Sequence, residues 1–334
     1  MFKRRHFLAG MLTLALVLGI AQVSQSQNQT LTIYSGRQEA LIGPLIKRAE
    51  QELGLNIRVR YGDTAELAIA IIEEGRNSPA DIFFAQDAGA LGALQKAGRT
   101  RAIPAQIISR VDSRFRSPNN HWVGITGRAR VLAYNTRQVN RNELPNSISE
   151  LTQPKWRGRV GWAPTNGSFQ SFVTAMRLVE GDAKTLEWLQ AMRNNGAVVY
   201  RNNTAIVEAV GRGEVDIGLT NNYYLYRFLA DDPNFPVAHH YTRGDTGSLI
   251  NIAGVAILDT ARNAQDAQRF IQFLLTNNAQ NFFARETKEY PLVEGIPAPE
   301  RQLSIDQINP PRIDLANLAD LQGTLVLLQR AGVL

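Results

Sequence analysis

The feature that most limits how this chain can fold is a run of short apolar segments, each followed by a stretch of helical period. Leu31-Thr32-Ile33-Tyr34 reads as a strand and Ser35-Gly36-Arg37-Gln38 as a tight turn. Leu41, Ile42, Leu45, Ile46, Ala49 and Leu53 then recur at helical spacing until Gly54 ends the helix. Ile57, Val59 and Tyr61 alternate as a second strand. Asp63 caps the next helix, with Glu66 three residues on completing a capping box, and that helix runs to Gly75. Residues 80–84 form a third strand, followed by a helix from about Gly89 to Ala97. Strand, helix, strand, helix, strand means βαβ units and a mostly parallel sheet.

The second half repeats the pattern after a strand-like stretch from Trp122 to Tyr134, where the chain first crosses between lobes. Arg159 to Trp162 is a strand, Asn166-Gly167-Ser168 opens a helix, and a further helix spans about Ala183 to Arg193. Val198 to Tyr200 is a strand, Asn203-Thr204 caps a helix from Ala205 to Val210, and Glu214 to Thr220 alternates as another strand. Asn251 to Leu258 crosses back, Ala264 to Phe283 reads as one long helix, and a proline-rich tail precedes a last helix at about Leu315 to Gln329. A chain of 334 residues has room for two lobes of ordinary domain size. The expected division is 29–127 plus 254–304 for the N-terminal lobe and 128–253 plus 305–334 for the C-terminal lobe. Two α/β lobes joined by two hinge crossings enclose a cleft that can close on a ligand.

Residues 1–26 read as a leader. Lys3, Arg4 and Arg5 form a basic start, and Phe7 to Ile20 is apolar but too short for a comfortable membrane span. Ser24 and Ser26 stand at cleavage-like positions, which makes this a signal peptide. Arg4-Arg5-His6-Phe7-Leu8 resembles a twin-arginine export signal; an ordinary secretory leader with adjacent arginines is the alternative. Either way the mature chain is expected outside the cytoplasm.

Removing that leader takes the formal charge from +6 to +3, and no basic run interleaved with aromatics remains, so nucleic acid is not an expected partner. A chain with 44% hydrophobic and 20% charged residues is globular rather than disordered or polytopic. The absence of cysteine excludes disulfides, thiolate metal sites and a cysteine nucleophile. Gly-x-Ser-x-Gly, a phosphate-binding lysine loop and His-Glu-x-x-His do not occur, so an enzyme is not expected.

The residues with the most chemistry are Asn221-Asn222-Tyr223-Tyr224, between the strand ending at Thr220 and a helix start. In an open α/β sheet, ligands bind at the carboxyl ends of strands. A phenol is a poor metal ligand while protonated, but a trivalent cation displaces the proton and leaves a hard oxygen donor. Two adjacent aromatics also pack in a core or a pocket wall, and that reading stays open. Asn166, Gly167 and Ser168 aim backbone N–H groups out of a helix start, which suits an anion, and Asn203, Asn221 and Arg128 add donors. Caps alone account for the same residues. Gln38, Glu39, Gln86 and Asp87 sit on loops after strands and are the candidate first-lobe contacts. His239-His240 are adjacent on a loop, face different ways and read as surface.

Tyr34-Ser35-Gly36-Arg37, Ser78-Pro79-Ala80-Asp81-Ile82-Phe83, Gly127-Arg128-Ala129-Arg130-Val131, Pro164-Thr165-Asn166-Gly167-Ser168-Phe169 and Asn221-Asn222-Tyr223-Tyr224 occur in that order. Over most of the mature chain this resembles the bacterial periplasmic ferric-ion-binding proteins, the solute receptors of iron ABC importers. The resemblance implies an α/β, two-lobed, type II-like periplasmic binding protein. It implies Fe³⁺ held by Tyr223 and Tyr224 with a synergistic anion such as carbonate or phosphate. Asn166, Gly167, Ser168, Asn203 and Asn221 match anion-contacting positions, and Arg128 lies where carbonate-using members place an anion-binding arginine. The implied partners are an inner-membrane permease and its ATPase, and the implied state is a monomer in the periplasm without a transmembrane segment. The chain departs from the family where Gln38 and Gln86 stand in place of a histidine and a glutamate ligand, and Phe169 in place of a further tyrosine. The same fold also serves receptors for a phosphonate, sulfate, polyamine or thiamine, which is the alternative reading.

Overall fold

A computed structural model describes residues 30–334, so the leader expected over 1–26, with its paired arginines, lies outside the described residues. The first strands fall where the alternation places them: β1 (Leu31–Ser35), α1 (Glu39–Leu53), β2 (Ile57–Tyr61), α2 (Thr64–Glu74), β3 (Ile82–Ala85) and α3 (Ala88–Lys96). Asp63 caps α2 by accepting from the N–H groups of Ala65 and Glu66 at 2.8 and 3.3 Å. A Cβ on Gly36 would lie 1.9 Å from Thr64 Oγ1, so the turn after β1 closes against α2 only because a glycine stands there.

The chain continues through β4 (Thr100–Arg101), α4 (Ala105–Ile108), β5 (Val123–Asn135), β6 (Val160–Trp162), α5 (Gly167–Glu180), α6 (Asp182–Asn194), β7 (Val198–Val199), α7 (Asn203–Arg212) and β8 (Ile217–Asn221). It ends with α8 (Leu225–Asp231), β9 (Val237–His240), β10 (Ile250–Leu258), α9 (Ala264–Leu274), α10 (Asn277–Phe282), β11 (Tyr290–Pro291), α11 (Ile305–Ile308) and α12 (Leu321–Arg330). Among the described residues no helix is long and apolar enough to cross a membrane.

The strands order as β2-β1-β3-β10-β5-β8-β6-β7. The outer strands on each side pair in parallel, as βαβ units require, while β10 and β5 run antiparallel through the middle. Strand β5 changes partner along its length. Its residues up to Ala129 pair with β10, and from Arg130, opposite Asn221, it pairs with β8. Between Ala253 and Gly254 of β10 the pairing skips Ile125 of β5, a bulge in β5 of the kind that bends a strand and sharpens its twist. A Cβ on Gly254 would come 2.7 Å from Val123 O, so the two central strands approach closely at that point.

The apolar core divides along the same line. One cluster gathers Ile33, Phe83, Phe84, Val255 and Phe270; a second gathers Trp162, Phe169, Phe172, Trp188 and Leu189; a third, around Ile206, Val210 and Leu225, covers the other face of β8. Ile308, Leu315 and Leu318 still pack in the first cluster, while Leu327, Leu328 and Ala331 pack in the second. The tail therefore serves the first core well past residue 305.

Several local expectations are corrected. The stretch 264–283 is not one helix. It breaks at Leu275–Thr276, where Thr276 caps α10, and the buried Gln280 side chain donates to Leu274 O at 2.9 Å and to Ile125 O at 3.0 Å. The last helix is a 3₁₀ turn over Leu315–Ala319 followed by α12, separated by Asp320, which caps α12 through Gly323 N–H. Asn202, not Asn203, caps α7: its Oδ1 accepts from Ala205 N–H at 2.9 Å, and Asn203 is already helical. His239 and His240 lie in strand β9 rather than a loop, and the strand alternation turns them to opposite faces.

Candidate metal and anion site

Strand β8 ends at Asn221, and Asn222–Tyr224 forms a single 3₁₀ turn before α8. Both asparagines stand at the expected helix entry, yet neither side chain is spent as a local cap. Asn221 Oδ1 accepts from Arg130 Nη1 at 3.4 Å. Asn222 is fully buried: its Oδ1 accepts from Ala129 N–H at 2.9 Å, and its Nδ2 donates to Lys288 O at 3.0 Å and Gln302 Oε1 at 2.8 Å. The turn is thus pinned to the central strand and to the tail, which fixes the residues that follow it.

Those residues are Tyr223 and Tyr224. Their rings stack with centroids 4.4 Å apart, and Tyr223 O–H donates to Tyr224 Oη at 3.1 Å. Two phenol oxygens at that separation present two donors to one small cation. Burial pushes the Tyr223 phenol above its usual value, and neighbouring Tyr224 and Glu289 push the same way while Arg128 opposes. Without a ligand the phenol therefore keeps its proton at neutral pH.

Arg130 closes the back of the pair. It is 2% exposed, donates to Leu219 O at 3.0 Å, and lies over the rings of Phe169 and Phe172 at 5.5 and 5.2 Å. It has no ion-pair partner among the described residues, and its Nε is unpartnered. Burial lowers it to about 9, with the Tyr224 and Tyr223 oxygens drawing the other way. A buried cation without a counter-charge is costly, so negative charge arriving beside it is favoured. Arg130 rather than the expected Arg128 is thus the unpaired buried cation beside the phenols, and a strand's period of two puts both on one face. Arg128 itself donates to the backbone carbonyls of Gln86 and, at 3.1 Å, Ile252, so its charge is felt at Tyr223 while its hydrogen bonds go elsewhere.

Phe169 places the start of α5 beside Arg130, and with it the expected anion contacts. Asn166 Oδ1 accepts from Ser168 N–H at 3.1 Å, from Ser168 O–H at 2.6 Å and from Asn203 Nδ2 at 3.3 Å; Asn203 Nδ2 also donates to Ser168 Oγ at 3.1 Å. The structure therefore brings Asn166, Ser168 and Asn203 together, with their donors turned on one another. Gly167 is exposed, and a Cβ on it would meet nothing within 4 Å, which leaves room at the helix start. Asn203 is buried with an unpartnered Oδ1.

The first-lobe candidates are arranged differently. Gln38 and Glu39 are exposed at the start of α1, and Gln38 makes no side-chain cap bond. Gln86 Oε1 accepts from Arg37 Nη1 at 2.7 Å. Asp87 caps α3 by accepting from Ala90 N–H at 3.1 Å, and burial raises its carboxyl above the usual range. Behind them Arg37 and Glu289, 1% and 2% exposed, form an ion pair at 2.5 Å. Glu289 is a neighbour of the site that no local pattern announces, since its partner lies far away in sequence. Among the described residues no group of three or more His, Asp or Glu side chains gathers as a metal site.

Comparison with known proteins gives consistent results. A family profile described as bacterial extracellular solute-binding protein matches residues 77–311. The chain is 29% identical to a major ferric iron-binding protein of Neisseria meningitidis, over 91% of this chain and 93% of that one. Iron-bound HitA from Pseudomonas aeruginosa superimposes with a TM-score of 0.84 at 31% identity, covering 91% of this chain and 99% of that one. A Trichodesmium protein (IdiA, FutA) in complex with iron and citrate gives 0.80 at 28% identity, covering 91% and 100%.

Proposed function

The chain belongs to the bacterial extracellular solute-binding proteins, and from that premise we propose that it is an exported receptor for ferric iron that hands its cargo to an ABC importer. The observation that carries this reading is the pair of phenol oxygens 3.1 Å apart at the carboxyl end of β8, in a chain similar to proteins named for ferric iron. Tyr223 and Tyr224 supply two phenolate donors once their protons leave. Phenolate is hard and anionic, and a trivalent ion repays the loss of the proton far better than a divalent one.

An anion completes the charge balance. Arg130 supplies a buried positive charge, and the Asn166–Ser168–Asn203 group supplies donors that an arriving carbonate, phosphate or organic carboxylate would draw away from one another. The lobes expected as 29–127 plus 254–304 and 128–253 plus 305–334, with the tail as far as Leu318 packed into the first core instead, would close by bending where β5 changes partner and where it bulges at Ile125. Gln38, Glu39, Gln86 and Asp87 then reach the cargo last. Iron leaves when the lobes open, the anion departs or the metal is reduced. The protein acts as a monomeric receptor in the periplasm, delivering to an inner-membrane permease and its ATPase, with no reaction on the cargo.

Titrating the purified protein with ferric citrate tests the reading. A visible tyrosinate-to-iron absorption band is expected, and it should disappear in Tyr223→Phe and Tyr224→Phe. A protein that stays colourless, or a band that survives both changes, excludes the tyrosine pair as the iron site. Calorimetry against phosphonate, sulfate, polyamine and thiamine tests the other solutes of this fold.

A further inference from the structure

A separate cavity of about 970 Å³ has neither Tyr223 nor Tyr224 in its wall. That volume is in the range that holds a small organic molecule. One side is formed by residues 141–146, α8 and β9; the other is formed by residues 301–309 of the tail. Leu144 and Tyr134 of the first side belong to the second core, and Ile308 of the other side to the first core, so the cavity lies on the seam between the two bodies.

Its chemistry is one-sided. Arg141, Arg243 and Arg301 line it, and no aspartate or glutamate does. Among the described residues Arg141 and Arg243 make no ion pair, and Arg301 makes only a loose one, 3.9 Å from Glu300. His240 stands in the same wall with Nε2 2.8 Å from Pro145 O. Burial holds its ring below the usual value, and Arg141 and Arg243 lower it further, against Pro145 O and Glu150, which raise it. Both guanidinium groups are therefore near enough to be felt at that ring. Tyr226, Tyr241 and Phe235 add flat apolar faces. The His239 ring meets Tyr226 and Tyr241 edge-on at 5.8 and 6.5 Å and has a buried, unpartnered Nε2. Arg301 holds a φ of 62°, a left-handed conformation that a residue with a Cβ rarely keeps.

Uncompensated guanidinium groups around aromatic walls are the arrangement that recognises carboxylate or phosphate groups carried on a ring-sized apolar body. We propose that this seam cavity is a second binding site, taking a small organic anion with two or three such groups. The proposal does not depend on the iron reading, because it uses none of the residues around the tyrosine pair.

The test is calorimetry of the metal-free full chain with benzene-1,3,5-tricarboxylate, which carries three carboxylates on one ring. One molecule should bind per chain, because the anion site beside Arg130 takes its anion together with the metal, which is absent in this titration. The double variant Arg141→Ala/Arg243→Ala, changed at two exposed positions, should bind at least about tenfold more weakly, while Tyr223→Phe should bind as the parent does. Inorganic phosphate, which has the charge without the ring, should bind at least about tenfold more weakly than the tricarboxylate. The proposal is overturned by no binding at millimolar concentration, by a double variant that binds equally well, or by loss of binding in Tyr223→Phe, which would move the ligand to the tyrosine cleft.

Discussion

On the side of the proposed cleft built from β8 and α5, the groups that would meet an ion are already half-buried or buried and held against one another. Tyr223 and Tyr224 stack, Arg130 is buried behind them, and Asn166, Ser168 and Asn203 are joined by hydrogen bonds. On the side built from β1 and β3, Gln38 and Glu39 stand in solvent, Gln86 is held by Arg37, and Asp87 caps a helix. The difference teaches where binding free energy resides. Preorganised donors lose little freedom when the ligand arrives, whereas exposed loop side chains must be ordered and desolvated at that moment. On the proposed function the cargo would be captured by one side and covered by the other.

The tyrosine pair should therefore show the largest effect. Chelator competition should find iron affinity reduced by about 1,000-fold or more in Tyr223→Phe, a loss of about 4 kcal/mol. Its pH dependence is equally specific. Burial and Tyr224 raise the Tyr223 phenol, so the metal-free protein holds that proton and iron must displace it. Affinity should rise with pH and fall in acid, by about tenfold per pH unit for each phenol proton displaced. Tyr223→Phe should lower that slope by about one proton. An unchanged slope would show that the Tyr223 proton is not displaced, and the contrast between the two sides would lose its basis.

Arg130 should give an intermediate effect that separates anion from metal. Arg130→Met removes a buried charge but leaves Leu219 O and Asn221 Oδ1 short of a donor. These opposing costs should leave folding stability within about 1–2 kcal/mol of the parent by thermal melting. The gain in iron affinity on adding phosphate should shrink by about tenfold, because the buried cation that favours the anion is gone. A variant that keeps the full phosphate effect would show that Arg130 serves packing over Phe169 and Phe172 alone.

What could be read beforehand follows the range of the interactions. The alternation over residues 31–97 is set by contacts within each element and its neighbour, so its strands and helices appear in the pattern of residues. The paired phenols were readable because a strand end and a helix entry are local events. Arg130 was readable in principle, two positions from Arg128 on the same face, but the choice between them depends on Phe169 and Asn221, brought in by other elements. Arg37 and Glu289 meet across most of the chain, and neither carries a local mark. The break inside 264–283 depends on the Gln280 side chain reaching Ile125 O, which helical periodicity does not register.

The smallest expected effects are on the covering side, and Asp87 sharpens the comparison most. Its Oδ1 caps α3, and burial raises its carboxyl above the usual range. A carboxyl raised in the folded protein binds its proton more readily there than in the unfolded chain, so its ionised form opposes folding as pH rises. Asparagine keeps an acceptor for Ala90 N–H without that charge. Asp87→Asn should therefore melt no lower than the parent at neutral pH, with its advantage shrinking as pH falls through the carboxyl range. Asp87→Ala should lose about 1 kcal/mol as the cap disappears. Neither change, nor Gln38→Ala or Glu39→Gln, should alter iron affinity by more than about tenfold, the loss expected when a contact made only on closure is removed. If Asp87→Asn keeps its melting temperature while iron affinity falls a hundredfold or more, about 2.7 kcal/mol, then the carboxylate leaves its cap to bind the ion on closure. The first lobe would then share in capture, because a cap released on closing is a donor held in reserve.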